Sequence, residues 1–337
     1  MKMKEMAWLA KTDGSVVVGH GPFRQTPLPD SGEVAFYKRC FHETDDSPWY
    51  LPARVEHLSL SQFQDTMSHQ RGPIRMDWET PDAMPFSIVF QEIMSCIAQG
   101  SIEKTVPVVT ERGRLHDEEG IGRIIAAMSG QKAPLHTYGW VMEDSGFSGA
   151  TPELLFSIDG LNLRTMALAG TARQEDEPVF RVDEKEIREH EYVAQTLVAK
   201  LSDLGKLSRK ERKVLRLESI VHFLTPISVE LGASQEPVRL MKRLHPTPAL
   251  GPLPRTDESM AMLRNWRKRL NCPPEFGAPF GVWDCGAFEA VVAIRGLWWN
   301  KRNVSLPAGC GIIEASRLVN EWRELRLKRE AVKRFLM

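Results

Sequence analysis

The chain has 337 residues, of which 42% are hydrophobic and 26% are charged, and its 44 lysines and arginines balance 44 aspartates and glutamates. This balance gives no electrostatic reason to expect a nucleic acid or an anionic membrane as partner, and we expect neither. The five cysteines are scattered without a Cys-x-x-Cys pair, which argues against a zinc site and is typical of reduced thiols in the cytoplasm. No apolar run reaches the roughly 18 residues of a membrane-spanning helix, and the N-terminal sequence lacks the apolar segment of a signal peptide.

Residues 1–84 contain short apolar segments separated by glycine, proline, aspartate and serine. Two of these segments, residues 16–19 and 34–37, are predicted strands between turns. The histidines of this region have no metal-ligand spacing. The region therefore gives no indication of function.

Residues 85–100 are predicted to form a helix, because apolar residues recur at helical spacing and Gly100 suits the C-cap. A strand-like run at 102–109 follows, with Lys104 near its start. Such a lysine usually extends to the surface, and its alternative is a base kept neutral by burial or neighbouring positive charge. Pro107 argues against a fully paired strand, because proline cannot donate to the ladder.

The next segments are predicted as a short helix at 120–129, a strand at 137–142 and a tight turn leading into a strand at 147–158. Pro152 in this turn fixes the backbone and presents Glu153, either as an acid in solvent or as an acid held over a pocket. A further strand at 161–173 contains Gly170, where the backbone can approach a ligand closely.

Residues 183–201 are predicted to form a helix with an unusual face, because Glu186 and Glu189 lie in line with its apolar residues. Carboxylates in such positions are unfavourable unless they are paired or bound to a cation. Glu186 could be the capping-box partner of Asp183, but that role does not account for Glu189, which lies one turn further along. His190 on the same face is more often a core histidine than a metal ligand.

The following segments are predicted as a solvated loop and helix start at 204–217, a strand at 220–227, helices at 238–244 and 260–270, and a glycine-punctuated loop at 276–284. A buried strand then ends on Arg295, and a second strand from residue 304 runs into the glycine turn at 309–311. The glycines of this turn offer backbone N–H groups to a ligand.

The last helix places Glu321, Glu324 and Lys328 at the edge of an apolar stripe, where charged groups need partners. On the helix alone, the favoured interpretation is a salt bridge between Glu324 and Lys328, four residues apart. The helix around Glu189 changes this interpretation, because two helices then each carry an acid pair beside an apolar face. Oxygen-only ligands suit a hard cation such as Mg²⁺, and Arg295 with Lys328 could bind a substrate carboxylate. The resulting hypothesis is a small anionic substrate and a divalent cation.

Seven sequence motifs occur in an order that resembles the chorismate-utilising enzyme family. They are residues 149–155 (GATPELL), 167–173 (ALAGTAR), 184–191 (EKEIREHE), 244–249 (LHPTPA), 293–295 (AIR), 308–313 (AGCGII) and 321–328 (EWRELRLK). Each motif alone is a weak pattern, whereas seven in order are a strong signal. The resemblance extends from about residue 86 to residue 335.

The resemblance implies a single large α/β (α+β) domain with layered β-sheets and helices packed outside. Residues 85–337 would form the chorismate-binding catalytic region, and residues 1–84 an N-terminal part of the fold that matches poorly. The implied protein is a cytoplasmic enzyme, expected to be a monomer, whose small-molecule substrate is chorismate.

Two positions separate the chemistries of the family. Lys104 matches the lysine of its water-adding enzymes, and Ala169 stands where aminodeoxychorismate synthases carry a nucleophilic lysine. With residues 245–249, these positions imply an isochorismate synthase, an isomerase whose product feeds menaquinone, siderophore or salicylate synthesis. The alternatives are a salicylate synthase, which also releases pyruvate, and a degenerate chorismate-binding protein without turnover.

In the implied mechanism, Lys104 as the free amine removes a proton from the water that attacks C2 of chorismate. Protonated Glu153 donates to the departing C4 hydroxyl. This division requires a lowered lysine pKa and a raised glutamate pKa.

The resemblance also implies a Mg²⁺ ion between Glu189, Glu324 and the ring carboxylate, with Glu186 and Glu321 as indirect or water-mediated partners. The residues expected to contact the substrate are Ala169, Gly170, His222, Thr247, Arg295, Gly309 through its backbone, and Lys328.

Overall fold

The structure is a computed structural model that describes residues 5–42, 46–70 and 72–337. In these residues the strands, numbered in chain order, are β1 Met6–Ala10, β2 Ser15–Thr26, β3 Val34–Lys38, β4 Trp49–Ser59, β5 Met76–Trp78, β6 Lys104–Thr105, β7 Val108–Leu115, β8 His136–Met142, β9 Ser145–Thr151, β10 Leu154–Asp159, β11 Asn162–Arg173, β12 Gly205–Arg209, β13 Lys213–Leu217, β14 Ile220–Leu231, β15 Pro279–Asp284, β16 Ala287–Val292, β17 Gly296–Asn300, β18 Asn303–Gly309 and β19 Ile312–Ile313. The helices are α1 Leu60–Ser68, α2 Ala83–Ala98, α3 Gly120–Ser129, α4 Glu177–Phe180, α5 Glu184–Leu201, α6 Pro237–Leu244, α7 Asp257–Arg269 and α8 Leu318–Arg334, with a 3₁₀ turn at Gln174–Asp176.

Seventeen of these strands form one antiparallel sheet within the described residues. From one end to the other the order is β5, β7, β18, β17, β9, β8, β1, β2, β4, β3, β15, β16, β10, β11, β14. Beyond β14, β12 and β13 run in line as one interrupted edge strand. β6 and β19 form a separate pair. β1 joins the two halves of the sheet, because it pairs with β2 on one side and with β8 on the other.

The two halves of the sheet face each other across the largest apolar core. Strand β1 is buried on both faces, with Leu9 in this core and Trp8 in a second apolar cluster, as alternation along a strand requires. Tyr138 and Phe147, from β8 and β9, contact Phe280 of β15 at ring-centroid distances of 5.9 and 5.5 Å. The sheet thus makes two packed layers, as predicted.

Helices cover the outer faces of these layers. α1, α3 and the end of α8 bury the second apolar cluster, and α2, α7 and α8 enclose a third one around the ends of β7 and β18. α5 lies against β11 and β14, and α8 contacts β18 and β11. The two helices that carry the acid pairs therefore meet at β11. The predicted arrangement of layered sheets with helices outside is confirmed.

Three segments differ from the predicted elements. The tight turn predicted at the start of 147–158 is wrong for residues 147–151, which belong to β9, and the break before β10 falls at Pro152 and Glu153. The loop and helix start predicted at 204–217 is wrong, because β12 and β13 form there as a half-exposed edge whose polar residues conceal the strand pattern. The loop predicted at 276–284 is wrong for β15, where Gly281 belongs to the strand. A Cβ atom at Gly281 would lie 2.7 Å from the Phe288 ring, so close packing explains this glycine.

Two strand ends near the site also matter. The strand predicted to end on Arg295 ends earlier, at Val292, and Arg295 lies in the connection to β17. Pro107 separates β6 from β7, in agreement with the expected interruption of the run at 102–109. In the described part of the chain, no helix is long and apolar enough to cross a membrane.

Candidate active site

A cavity of about 640 Å³, counting its open mouth, lies between the central strands and the helices α5 and α8. The predicted site residues in its wall are Glu153, Ala169, Gly170, Glu189, His222, Arg295, Gly309 and Lys328. Thr247 is buried nearby but does not line the cavity, whereas Ala249 and Leu250 do. The fold thus brings most of the predicted residues to one place.

Glu153 lies in the two-residue break between β9 and β10. Its backbone N–H donates to the Thr151 hydroxyl (3.2 Å), and its carbonyl accepts from the Val292 N–H (3.0 Å). The residue is only 4% exposed. Burial raises the pKa of Glu153 to about 8, although neighbouring cations act in the opposite direction. A protonated acid is therefore available in the cavity wall at neutral pH.

Lys104 is completely buried in β6, directly behind Gly311, which lines the cavity. Its Nζ donates to Glu189 Oε1 at 3.1 Å. Burial lowers the pKa of Lys104, and the Glu189 carboxylate partly opposes this shift. Burial would raise the pKa of Glu189, but Lys104 and two further lysines outweigh it and lower the value to about 2. The contact ties the predicted base directly to a predicted metal ligand.

Arg295 is held at the cavity by a neutral histidine. One of its guanidinium nitrogens lies 2.9 Å from His222 Nε2, while His222 Nδ1 lies 2.7 Å from the Gly170 carbonyl oxygen. Because a carbonyl only accepts, Nδ1 carries the proton and Nε2 accepts from Arg295. Burial and the Arg295 charge hold the pKa of His222 well below its usual value. His222 therefore positions Arg295.

Lys328 borders the same side of the cavity. Its Nζ lies 2.5 Å from Glu324 Oε1, one turn earlier in α8, and donates to the Gly309 carbonyl oxygen at 2.8 Å. The salt bridge expected from the helix alone is therefore present. Arg295 also donates to the Lys328 carbonyl oxygen at 3.4 Å. Two neighbouring cations can thus receive a carboxylate from the cavity.

Four carboxylates surround the ammonium group of Lys185, in the first turn of α5. Its Nζ lies 2.9 Å from Glu186 Oε1 and 3.2 Å from Glu189 Oε2 on the same helix. It lies 3.3 Å from Glu321 Oε1 and 3.9 Å from Glu324 Oε2 on α8. These four glutamates are called the carboxylate cluster below. The two acid pairs recognised in the sequence therefore converge, and they do so around a lysine.

Glu186 is fixed by contacts other than the expected capping box. Asp183 does cap α5, accepting from the Glu186 N–H at 3.1 Å. The Glu186 side chain instead accepts from the Thr171 N–H at 2.8 Å. Gly170 has φ +76°, and a Cβ there would lie 3.2 Å from Glu186 Oε2. The bend of β11 at Gly170 thus orients both Glu186 and His222.

Close contact among the acids of the carboxylate cluster shifts their pKa values and that of Lys185. Burial and the neighbouring carboxylates raise the pKa of Glu186 to about 7 and that of Glu321 to about 8. Burial alone would lower the pKa of Lys185, but the four carboxylates outweigh it and hold the pKa well above its usual value. The positive charge of Lys185 therefore stabilises this cluster, together with Lys104 beside Glu189 and Lys328 beside Glu324.

The chemistry of the cluster suits a hard divalent cation. Its ligands are oxygens only, which Mg²⁺ prefers, and Glu321 Oε2 is buried without a hydrogen-bond partner among the described residues. In these residues no three His, Cys, Asp or Glu side chains are arranged to hold a metal as they stand. The Lys185 ammonium lies among the four acids instead. The residue types fit Mg²⁺, although the Lys185 ammonium group lies where their oxygens converge.

Lys185 and Gly311 are the site residues that the sequence did not identify. Lys185 stands in the motif at 184–191, four residues before Glu189, and this i,i+4 spacing is the signal that could have identified it. Gly311 belongs to the glycine turn that was expected to offer backbone donors. In the structure, its role is steric.

Gly311→Ala is expected to weaken cation binding, because there is no room for a side chain. A Cβ atom at this position would lie 2.0 Å from Glu189 Oε1 and 3.0 Å from Lys104 Cε. Displacing Glu189 should lower Mg²⁺ affinity by at least roughly tenfold, measured by calorimetry. Gly32→Ala is the control, since a Cβ there meets no atom within 4 Å. If Gly311→Ala binds Mg²⁺ as tightly as the wild type, then cation binding does not depend on the present position of the Glu189 carboxylate.

Comparison with known proteins gives consistent matches. The model of the chorismate binding enzyme family matches residues 35–337. Isochorismate synthase MenF of Bacillus subtilis is 32% identical over 211 residues, which are 57% of this chain and 43% of that protein. Isochorismate synthase EntC of Escherichia coli K12 is 30% identical over 221 residues, 61% of this chain and 55% of that protein. The matched segment spans about half the length of these curated relatives.

Two solved structures share the fold over nearly the whole chain. DhbC from Bacillus anthracis superposes with a TM-score of 0.82 and 18% identity, covering 98% of this chain and 96% of that one. MenF from Escherichia coli, described as a menaquinone-specific isochorismate synthase, gives a TM-score of 0.80 and 18% identity, covering 99% and 89%. At this identity the likeness establishes the fold.

Proposed function

Because the chain belongs to the chorismate binding enzyme family, we propose that it is a Mg²⁺-dependent isomerase that converts chorismate to isochorismate. The observation that carries the proposal is the pair of buried groups Lys104 and Glu153. Burial lowers the pKa of the lysine and raises that of the glutamic acid to about 8. A lysine and a glutamic acid whose pKa values are shifted in these directions can serve as base and acid at the same pH.

The proposed reaction adds one water and releases another. Water attacks C2 of chorismate while the ring double bonds shift and the bond from C4 to its hydroxyl breaks. Lys104 takes the proton of the attacking water, and Glu153 supplies a proton to the departing hydroxyl, which leaves as water. The composition of the substrate is unchanged, so the reaction is an isomerisation.

Chorismate carries two carboxylates, and the proposed site would provide positive charge for each. Arg295 and Lys328, side by side, would hold the enolpyruvyl carboxylate, with Arg295 oriented by His222. Glu189 and Glu324, with the other members of the carboxylate cluster close by, would hold Mg²⁺. When bound, the ion would supply positive charge for the ring carboxylate.

Ala169 in the cavity wall favours water as the nucleophile. Ala169 lines the cavity at the position where the family's aminodeoxychorismate synthases carry a lysine. Its methyl group offers no amine to attack the ring. This residue supports the water-adding reaction over an amine-transferring one.

A single assay tests the proposal: purified protein, chorismate and Mg²⁺, with products separated by chromatography and an EDTA-treated sample as control. Isochorismate as the sole product, lost with EDTA, is the expected result. Salicylate together with pyruvate would assign the protein to the salicylate synthases. Chorismate binding in calorimetry without turnover would leave a non-catalytic binding protein.

A further inference from the structure

The position of Lys185 needs an explanation that the proposed reaction does not supply. Within the described residues, its ammonium group is the one that lies within 4 Å of all four members of the carboxylate cluster. Lys104 contacts Glu189, and Lys328 contacts Glu324. A lysine in the first turn of a helix also lies at the positive end of the helix dipole, which disfavours it there. The side-chain contacts must therefore hold it.

We propose that Lys185 is a built-in counter-ion, which occupies the cation position of the carboxylate cluster in the metal-free protein and is displaced when a divalent cation binds. This inference rests on the proposed function, because it takes the carboxylate cluster as the metal site. In this proposal Lys185 positions the four carboxylates and competes with the cation for them. It does not touch the reacting atoms.

Direct competition follows from the distances. The Nζ atom lies 2.9 to 3.9 Å from one oxygen of each glutamate, so it occupies the space towards which the four carboxylates converge. A divalent cation bound to the same oxygens would be in contact with the ammonium group, and two like charges at that distance repel strongly where water is excluded. The ion and the ammonium group therefore exclude one another.

Lys185 also has room to leave the cluster. The Lys185 side chain is 17% exposed and so has a route to solvent, whereas the Lys104 side chain is 0% exposed. Four flexible methylene groups let an ammonium move without disturbing the helix backbone. Without Lys185, the buried Glu186 and Glu321 would face the other two carboxylates without the ion pairs that they make with it, which is unfavourable. Lys185 thus stabilises the metal-free cluster and lowers its apparent affinity for metal.

The test is a titration with Mg²⁺ by calorimetry and with Mn²⁺ by electron paramagnetic resonance, in the absence of substrate. Lys185→Gln is expected to bind either ion at least about tenfold more tightly than the wild type, because the competing state is removed. Lys185→Arg is expected to bind it more weakly than the wild type, since a guanidinium keeps the charge and donates more hydrogen bonds to carboxylates. If Lys185→Gln folds poorly, Lys185→Arg still tests the proposal, because it keeps a positive charge in the cluster.

The matched control is Arg188→Gln, which removes one positive charge from the same helix where it faces the exposed Glu314 at 3.7 Å. Its cation affinity should equal that of the wild type. If Lys185→Arg and the wild type bind the cation equally while Lys185→Gln binds it more tightly, displacement is overturned. The tighter binding would then reflect only the loss of a nearby positive charge. Unchanged or weaker binding by Lys185→Gln would overturn the proposal outright.

These outcomes are separate from those of the product assay. A wild-type protein that binds no divalent cation would remove both the proposed cofactor and the displacement. Cation binding that changes with Lys185 as expected, in a protein that makes no isochorismate, would leave the displacement standing and end the proposed activity.

Discussion

Glu153→Gln is expected to lower kcat for the conversion of chorismate by about a thousandfold, within the roughly 10²–10⁴ range of general acids, while chorismate still binds. Glutamine fills the same space but has no acidic proton for the departing hydroxyl. The Glu153 side chain lies in the cavity wall, and its burial keeps it protonated. Steady-state kinetics gives the loss of turnover, and calorimetry with the variant should give a Kd within about threefold of that of the wild type.

The control is Glu289→Gln, the same change at a buried glutamate of the neighbouring strand β16. Glu289 accepts from the Thr12 N–H and hydroxyl at 2.7 and 2.9 Å and does not line the cavity. Its variant should keep wild-type kcat. Full activity in Glu153→Gln would remove this residue from the mechanism.

The pH dependence gives a second measurement on Glu153. The acid must be protonated to donate, and its pKa is raised to about 8. Activity should therefore be retained at neutral pH and lost as the pH rises through about 8. A rate that stays constant well above that pH would show that another group donates the proton.

Lys104→Gln is expected to reduce kcat by a similar factor, roughly 10²–10⁴-fold. An amide cannot take the proton of the attacking water, but it can still donate to Glu189, which Lys104 contacts at 3.1 Å. Cation binding should therefore persist while turnover is lost. Single-turnover measurements with saturating Mg²⁺ and chorismate separate the chemical step from binding.

Lys200→Gln is the matched control for this variant. Lys200 lies on α5, and its partial burial lowers its pKa to about 8, so a perturbed lysine is removed without touching the cavity. Its kcat should be that of the wild type. If Lys104→Gln keeps its activity while Glu153→Gln loses it, the proton of the water is taken by another group.

The acid pairs could be predicted because helical spacing fixes side-chain direction. Glu186 and Glu189 on one helix, and Glu321 and Glu324 on another, each had to share a face, and the structure brings the two faces together. Lys185 could not be placed in the same way. Its long side chain can reach in several directions from the first turn of α5, and only the other helix decides which direction is occupied.

The backbone at Arg295 was also beyond prediction. Ala293 and Ile294 continue an apolar run, so the sequence favours an uninterrupted strand. Arg295 instead has φ 57°, a conformation that non-glycine residues rarely adopt. Its carbonyl accepts from the Ala150 N–H at 3.1 Å, and the Ile294 carbonyl accepts from the Tyr138 hydroxyl at 2.8 Å. These long-range contacts determine the turn of the chain, and neighbouring residues do not encode it.

The order of the sheet has a consequence for how the protein is made. β1 pairs with β2 beside it in sequence, but its other neighbour is β8, and β3 pairs with β15 through contacts such as Phe36 to Val282. Pairing between distant segments slows folding and leaves strand edges open in the meantime. β1 and β3 each have one edge that stays unpaired until β8 and β15, respectively, have been synthesised. Their apolar edges would then be exposed throughout translation, and this is the interval in which a chaperone would have most to protect.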